Sequence, residues 1–158
     1  MKEKDRSLLS ELLKDSKRSD RELAKALGVS QPTVTRNRSR LVKDGVIREF
    51  TVIPDFVKMG YEIMAISLLK TRRPLNEPEV TKNCPNVIFL AEGAGLGRDT
   101  VMISLHKNYT EYSRFVTEHR RRWGENIKDY ESMLVSLQGD VAKPLSLRYL
   151  AEGESAER

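Results

Sequence analysis

Between Ser19 and Pro32 the chain carries two helix starts with one helix stop between them. Ser19-Asp20-Arg21-Glu22 reads as a capping box, in which the Ser19 hydroxyl accepts from the N3 amide and the Glu22 carboxylate accepts from the amide of Ser19. The helix it opens turns Leu23, Ala24 and Leu27 inward and stops at Gly28, which enters the left-handed region without a Cβ penalty. Val29 plugs the core under that turn, Ser30 caps the next helix, and Pro32 sits in its first turn, where a missing N–H costs little. That second helix runs to about Asp44 and ends at Gly45. Two short helices joined by a tight glycine turn, the second rich in arginine, form a helix-turn-helix pattern.

The flanks complete a small domain. Leu8, Leu9, Leu12 and Leu13 fall at helical spacing between Asp5, a suitable N-cap, and Lys14, before a polar break at residues 15–18. Residues 46–53 have strand character and suit the wing that flanks such a unit, and Pro54-Asp55 closes it. A winged helix-turn-helix domain is therefore expected over 1–53, with a linker over 54–60.

From Tyr61 the rhythm changes. Tyr61–Lys70 is expected as a strand with apolar residues on both faces, so both faces need cover. A short helix fits near 77–83 between prolines, and Val87–Ala91 reads as a second strand. Residues 93–99 read as a glycine-rich hairpin turn and Thr100–His106 as a third strand. An amphipathic helix follows over about 108–123, with Tyr109, Tyr112, Phe115, Val116, His119 and Trp123 along one stripe. Glu131–Gln138 gives a fourth strand, and Leu145, Leu147 and Tyr149 suggest one more. The order is a split βαββαβ, or ferredoxin-like, arrangement over 61–150, followed by a flexible acidic tail over 151–158. The fold class is α+β. Helices cover only one face of such a sheet, and the cheapest cover for the other is the same sheet of a second subunit, which predicts a homodimer.

Composition narrows the function. No stretch approaches the roughly 20 apolar residues that cross a bilayer, and Met1–Arg6 are too charged for a secretory leader. One cysteine, Cys84, and two histidines, His106 and His119, are too few for a structural zinc site, and no cofactor is expected. His119 lies on the apolar stripe and reads as a packed histidine, Cys84 as buried filler, and no catalytic residue is assigned. The expectation is a reduced cytoplasmic protein that does not engage membranes. Charge divides the chain: residues 1–60 hold 14 Lys+Arg against 9 Asp+Glu, whereas 61–158 hold 14 against 14. All of the net +5 therefore sits in the front, where polyanion binding is the first candidate.

The helix after Ser30 carries Arg36, Arg38, Arg40 and Lys43 with no acid before Asp44. In a helix-turn-helix, the N-terminal residues of this helix reach base edges while flanking cations neutralise phosphates. Gln31, Thr33, Thr35 and Arg36 are the candidates for base contact: Gln for adenine, Arg for guanine, a threonine methyl for the thymine methyl. Ser30, Arg38, Arg40 and Lys43 are the candidate phosphate anchors. The competing reading packs Arg40 on the wing and pairs Arg38 with Glu49. Arg120-Arg121-Arg122 reads as a solvated helix end favoured by the dipole, with a second DNA-tracking patch as the alternative.

These residues resemble the Lrp/AsnC, or feast/famine, family of prokaryotic regulators. The resemblance is carried by Asp5-x-x-Leu8-Leu9-x-x-Leu12, by Arg21-Glu22-Leu23-Ala24-x-x-Leu27-Gly28-Val29-Ser30, and by Val34, Arg40-Leu41 and Gly45-Val46-Ile47. It continues through the back half, of the family's RAM type, and so spans nearly the full chain. Three departures stand out: Asn37 and Arg38 where the family often has Arg and an aliphatic residue, a first back-domain helix cut short between prolines, and a hairpin richer in glycine than the family's Gly-x-Tyr-Asp turn. The resemblance implies a nucleoid-associated regulator of transcription that binds double-stranded DNA, as a dimer or as an octamer or other assembly of dimers. It also implies an amino-acid or similar effector near the hairpin, here at Gly93, Gly95, Gly97, Asp99 and Thr100, with backbone N–H groups cradling a carboxylate and Asp99 facing an ammonium. Two other classes share this layout: a DNA-compacting architectural protein with little sequence preference, and the siroheme decarboxylases, against which the cationic helix argues.

Overall fold

The computed structural model describes residues 1–75 and 77–151, the side chains of Glu77, Glu79 and Thr81 excepted. Three helices lead, α1 (Glu3–Lys14), α2 (Asp20–Leu27) and α3 (Gln31–Lys43). The capping box at Ser19 is formed in full: its hydroxyl accepts from the Glu22 amide, and Glu22 accepts from the Ser19 amide at 2.8 Å. Gly28 ends α2 at φ 64° and Gly45 turns the chain after α3 at φ 69°, both in the left-handed region that Cβ disfavours. Leu8, Leu12, Leu23, Ala24, Val34 and Leu41 form one buried cluster, ringed by Leu9, Leu27, Val29 and Ile47. Each fully buried leucine contributes about 1.5–3 kcal/mol relative to exposure.

The second fold is β1 (Ile63–Thr71), α4 (Glu77–Asn83), β2 (Val87–Gly95), β3 (Arg98–His106), α5 (Tyr109–Trp123) and β4 (Ile127–Ser136). The strands lie in the order β2-β3-β1-β4, with every neighbouring pair antiparallel, which is the split βαββαβ topology. In β1 the odd positions Ala65, Ser67, Leu69 and Thr71 are buried, while the even positions, among them Met64, Ile66 and Leu68, are only partly covered. Ile66 stands opposite Ile103 on one side and Met133 on the other, so an apolar stripe crosses this second face. Asn108 caps α5 by accepting from the Glu111 amide at 2.9 Å.

Several expectations are corrected. Residues 93–99 are not one long turn: the strands run on to Gly95 and Arg98, joined by Leu96 and Gly97 at φ 52° and 70°. Positive φ at both central residues is the turn whose twist matches a hairpin. Residues 46–53 form no strand. Val46 and Ile47 instead donate back to the Leu41 carbonyl, and 48–53 lack a ladder because no other segment among the described residues pairs with them. The strand expected at Leu145–Tyr149 is also absent: Pro144 removes a ladder donor, and 148–151 close a helical turn with Lys143 over the Tyr149 ring at 4.1 Å. Asp5 is not an N-cap, since α1 begins at Glu3 and Asp5 is buried within its first turn.

The described residues divide into two compact units, 1–53 with 143–151, and 54–142. Residues 54–60 belong to the second unit as a compact turn, with Gly60 and Tyr61 donating to Val57 and Phe56. Ala151, placed in the acidic tail by its sequence position, is helical and buried. Residues 152–158, the remainder of that tail, lie outside the described residues.

Candidate nucleic-acid interface

Val34 and Leu41 fix the orientation of α3, because both are buried, two turns apart, on the face toward α1 and α2. The opposite line, at i, i+4, i+7 and i+11, is Pro32, Arg36, Ser39 and Lys43, all exposed. Gln31 and Thr35 are exposed beside it, and Thr33 is half-buried. Ser30 holds the N-cap position with no side-chain bond to the helix amides, its hydroxyl lying 2.8 Å from that of Thr33.

The cations of α3 fall into two sets. Arg38 is turned inward: it ion-pairs with Asp20 at 3.0 Å, donates to the Arg18 carbonyl at 3.1 Å and stacks 5.9 Å from the Phe50 ring centroid. Its partner is thus Asp20, not Glu49. Arg40 pairs with the buried Asp5 of α1 and with Asp44 at 3.5 Å, rather than packing on a wing. Arg36 and Lys43 have no ion pair or hydrogen bond among the described residues and extend from the exposed line. Thr35 is exposed but its hydroxyl is committed, donating to Asp20 at 2.6 Å and to the Gln31 carbonyl at 3.1 Å. Asp5 and Asp20 are the residues that sequence reasoning missed. Both hold arginines far along the chain, and no local spacing rule links them.

In the second unit, Gly93, Asp99 and Thr100 line a cleft of about 200 Å³ with Thr71, Arg72 and Arg73. Gly95 and Gly97 lie at the hairpin end and do not line it. Asp99 already faces an ammonium, that of Lys70 at 3.1 Å, and accepts from the Thr71 N–H and hydroxyl, both at 2.9 Å. Partial burial opposes its ionisation, but the Thr71 N–H, Lys70 and the threonine hydroxyls outweigh it and hold the carboxyl down to about 2.

Both histidines are interior. His119 donates from Nδ1 to the Phe115 carbonyl at 3.1 Å, leaving Nε2 to accept from the Cys84 thiol at 3.7 Å. Burial pushes its pKa down to about 4, so it is neutral near pH 7. His106 accepts at Nδ1 from Asn86 and donates from Nε2 to Ser104, and burial lowers its pKa despite Glu111 nearby. Among the described residues no group of three His, Cys, Asp or Glu is placed to hold a metal ion, and no helix is long and apolar enough to cross a membrane.

Comparison with known proteins agrees with this architecture. A family model described as winged helix-turn-helix DNA-binding matches residues 1–48. A Pyrococcus horikoshii protein, PH0061, described as an uncharacterized HTH-type transcriptional regulator, is 30% identical over 142 residues, covering 88% of this chain and 93% of its own. Its crystal structure superposes with a TM-score of 0.77 at 27% identity, over 92% of this chain and 97% of that one. An AsnC family transcriptional regulator from Agrobacterium tumefaciens shares the fold at TM-score 0.74 and 24% identity, over 95% and 99% of the two chains. A Neisseria meningitidis transcriptional regulator solved as an L-Met complex shares it at TM-score 0.74 and 17% identity, over the same shares.

Proposed function

The chain belongs to a family of HTH-type transcriptional regulators, and from that premise we propose a sequence-specific regulator of the Lrp/AsnC type that reads DNA with the outer line of α3. One observation carries this reading. Arg36 and Lys43 have no ion pair or hydrogen bond among the described residues, on the same helix where Arg38 and Arg40 are neutralised by carboxylates. Gln31, Thr33, Arg36 and the Thr35 methyl contact base edges in the major groove, and Ser30 and Lys43 contact phosphates. Arg38 and Arg40 hold the helix in place instead. The action is binding, without a catalytic step, in the cytoplasm at the nucleoid.

The functional unit is a homodimer. Its support is the apolar second face of the sheet, where Met133 is 68% and Phe89 49% exposed, together with the unpaired 48–53 segment carrying Phe50 and Val52. Two copies place two α3 helices on half-sites about one helical turn apart, or a multiple of it. An amino-acid effector occupies the cleft at Gly93, Asp99 and Thr100, with Arg72 supplying the carboxylate contact, a role in keeping with the L-Met held by the neisserial relative. It acts on DNA binding only as far as it prefers one assembly of dimers over another.

Selection of bound fragments from random DNA at near-physiological salt, followed by sequencing, tests the reading. An enriched palindromic motif is expected. Diffuse, steeply salt-sensitive recovery would replace it with an architectural role lacking base readout.

A further inference from the structure

Beyond α3, a cluster of arginines without ion-pair partners among the described residues lies at the C-terminal end of α5. A cleft of about 770 Å³ opens there, walled by Arg120, Arg121 and Arg122 on one side and Arg73 on the other, with Trp123 and Asn126 between. None of the four guanidinium groups has an ion pair or hydrogen bond among the described residues; Arg122 stacks 5.6 Å from the Trp123 ring centroid. Glu125 is the one acidic residue among the described residues lining the cleft.

The geometry is held. Asn126 grips the loop after β1 with three bonds: its Oδ1 accepts from the Arg73 N–H at 3.0 Å, its Nδ2 donates to the Arg73 carbonyl at 3.0 Å, and its carbonyl accepts from the Arg72 N–H at 2.8 Å. Gly124 lets the chain leave the helix there, since a Cβ at that position would lie 2.3 Å from the Arg120 carbonyl oxygen. The helix dipole favours arginines in the last turn of α5. It does not account for Arg73, which comes from a separate element and is fixed opposite them.

Four like charges around one concavity repel one another and focus a positive potential into it. All four are arginines, whose planar forks bind phosphate oxygens bidentately where a lysine acts as a point charge. The volume lies within the roughly 300–1,000 Å³ typical of small-molecule sites. A zwitterionic amino acid suits it poorly, because its ammonium would meet only cations. A duplex carries its phosphates on the outside of a rod, which suits an outward row such as Arg36 and Lys43 better than charges converging on a hollow.

We propose that this cleft binds a small anion carrying two or more phosphate groups, of the nucleoside polyphosphate class. The site is independent of the DNA-reading role of α3. Calorimetric titration of the full-length protein with inorganic tripolyphosphate, and separately with inorganic monophosphate, tests it at near-physiological salt. Saturable binding of one tripolyphosphate per chain is expected, much tighter than monophosphate. Arg73→Gln and Arg121→Gln should each weaken it roughly tenfold or more, as the loss of charge-assisted bonds predicts. Both are exposed positions whose replacement should leave the circular dichroism unchanged, and Arg36→Ala should leave tripolyphosphate affinity unchanged. Equal affinity for monophosphate, or loss with Arg36→Ala but not with Arg73→Gln, overturns the proposal. So does a drop in duplex affinity and salt slope for Arg73→Gln without any change in tripolyphosphate binding, which would make the patch a DNA contact.

Discussion

The core of residues 1–53 is aliphatic throughout, Leu8, Leu12, Leu23, Ala24, Val34 and Leu41, and its charges stand at the margin in the pairs Asp5–Arg40 and Asp20–Arg38. The interior of residues 54–142 instead admits neutral polar groups. Ser67, Ser104, His106 and His119 are each 3% exposed or less, and each is satisfied by a hydrogen bond inside the unit. The first unit is therefore vulnerable where a charge loses its partner, and the second where a proton arrives.

Removing one partner of a buried charge gives the largest effect. Arg40→Met leaves the Asp5 carboxylate, only 5% exposed, without its guanidinium, and should cost about 2–4 kcal/mol in urea unfolding. The double variant Asp5→Leu with Arg40→Met should recover most of that loss; failure to recover it would mean the pair is not what holds α1 to α3.

Acid acts on the other unit. The folded pKa of His119 is depressed from 6.5 to about 4, so its neutral form is favoured by folding. Its contribution is complete above pH 6.5 and is lost as pH falls toward 4, on the order of 3 kcal/mol in all. His119→Gln should flatten stability across that window. Trp123, the one tryptophan, has its ring centroid 4.6 Å from that of His119 and supplies the readout. Its fluorescence should titrate with a midpoint near 4 in the native protein and not in the variant.

Arg36→Ala should weaken binding to a selected DNA site by about 1–3 kcal/mol and relax preference at one base pair, with no change in unfolding. Equal loss on every sequence would reassign it to a phosphate contact. The smallest effect belongs to Asp99→Asn. The Asp99 carboxyl is held down from 3.8 to about 2, so it stabilises above pH 4 and loses that contribution as pH falls to 2. The asparagine variant should show a shallower acid slope in that range alone.

Features set by neighbours along the chain were legible in the sequence: the capping box at Ser19, the left-handed stops at Gly28 and Gly45, the stripe of α5, and the order of strands and helices in the second unit. What failed depended on distant partners. Apolar residues at 46–53 and 145–149 signal a side-chain pattern, but a strand also needs a ladder, and no segment among the described residues supplies one. Asp5 looks like a cap by position, yet its carboxylate is taken up by Arg40, thirty-five residues on. Arg120-Arg121-Arg122 is visible as a run, whereas the approach of Arg73 from the loop after β1 is a product of tertiary structure.

Asp20 opens α2 and, with one carboxylate, holds Thr35 and Arg38 of α3. Because the inner side of α3 is anchored there and at Asp5, the identities of residues 31, 36 and 43 are not needed to keep the helix in place. Mutation can therefore rewrite those positions without first passing through a poorly folded intermediate. With α3 reading DNA as proposed, a duplicated copy of such a gene is free to acquire a new set of target promoters by a handful of single substitutions.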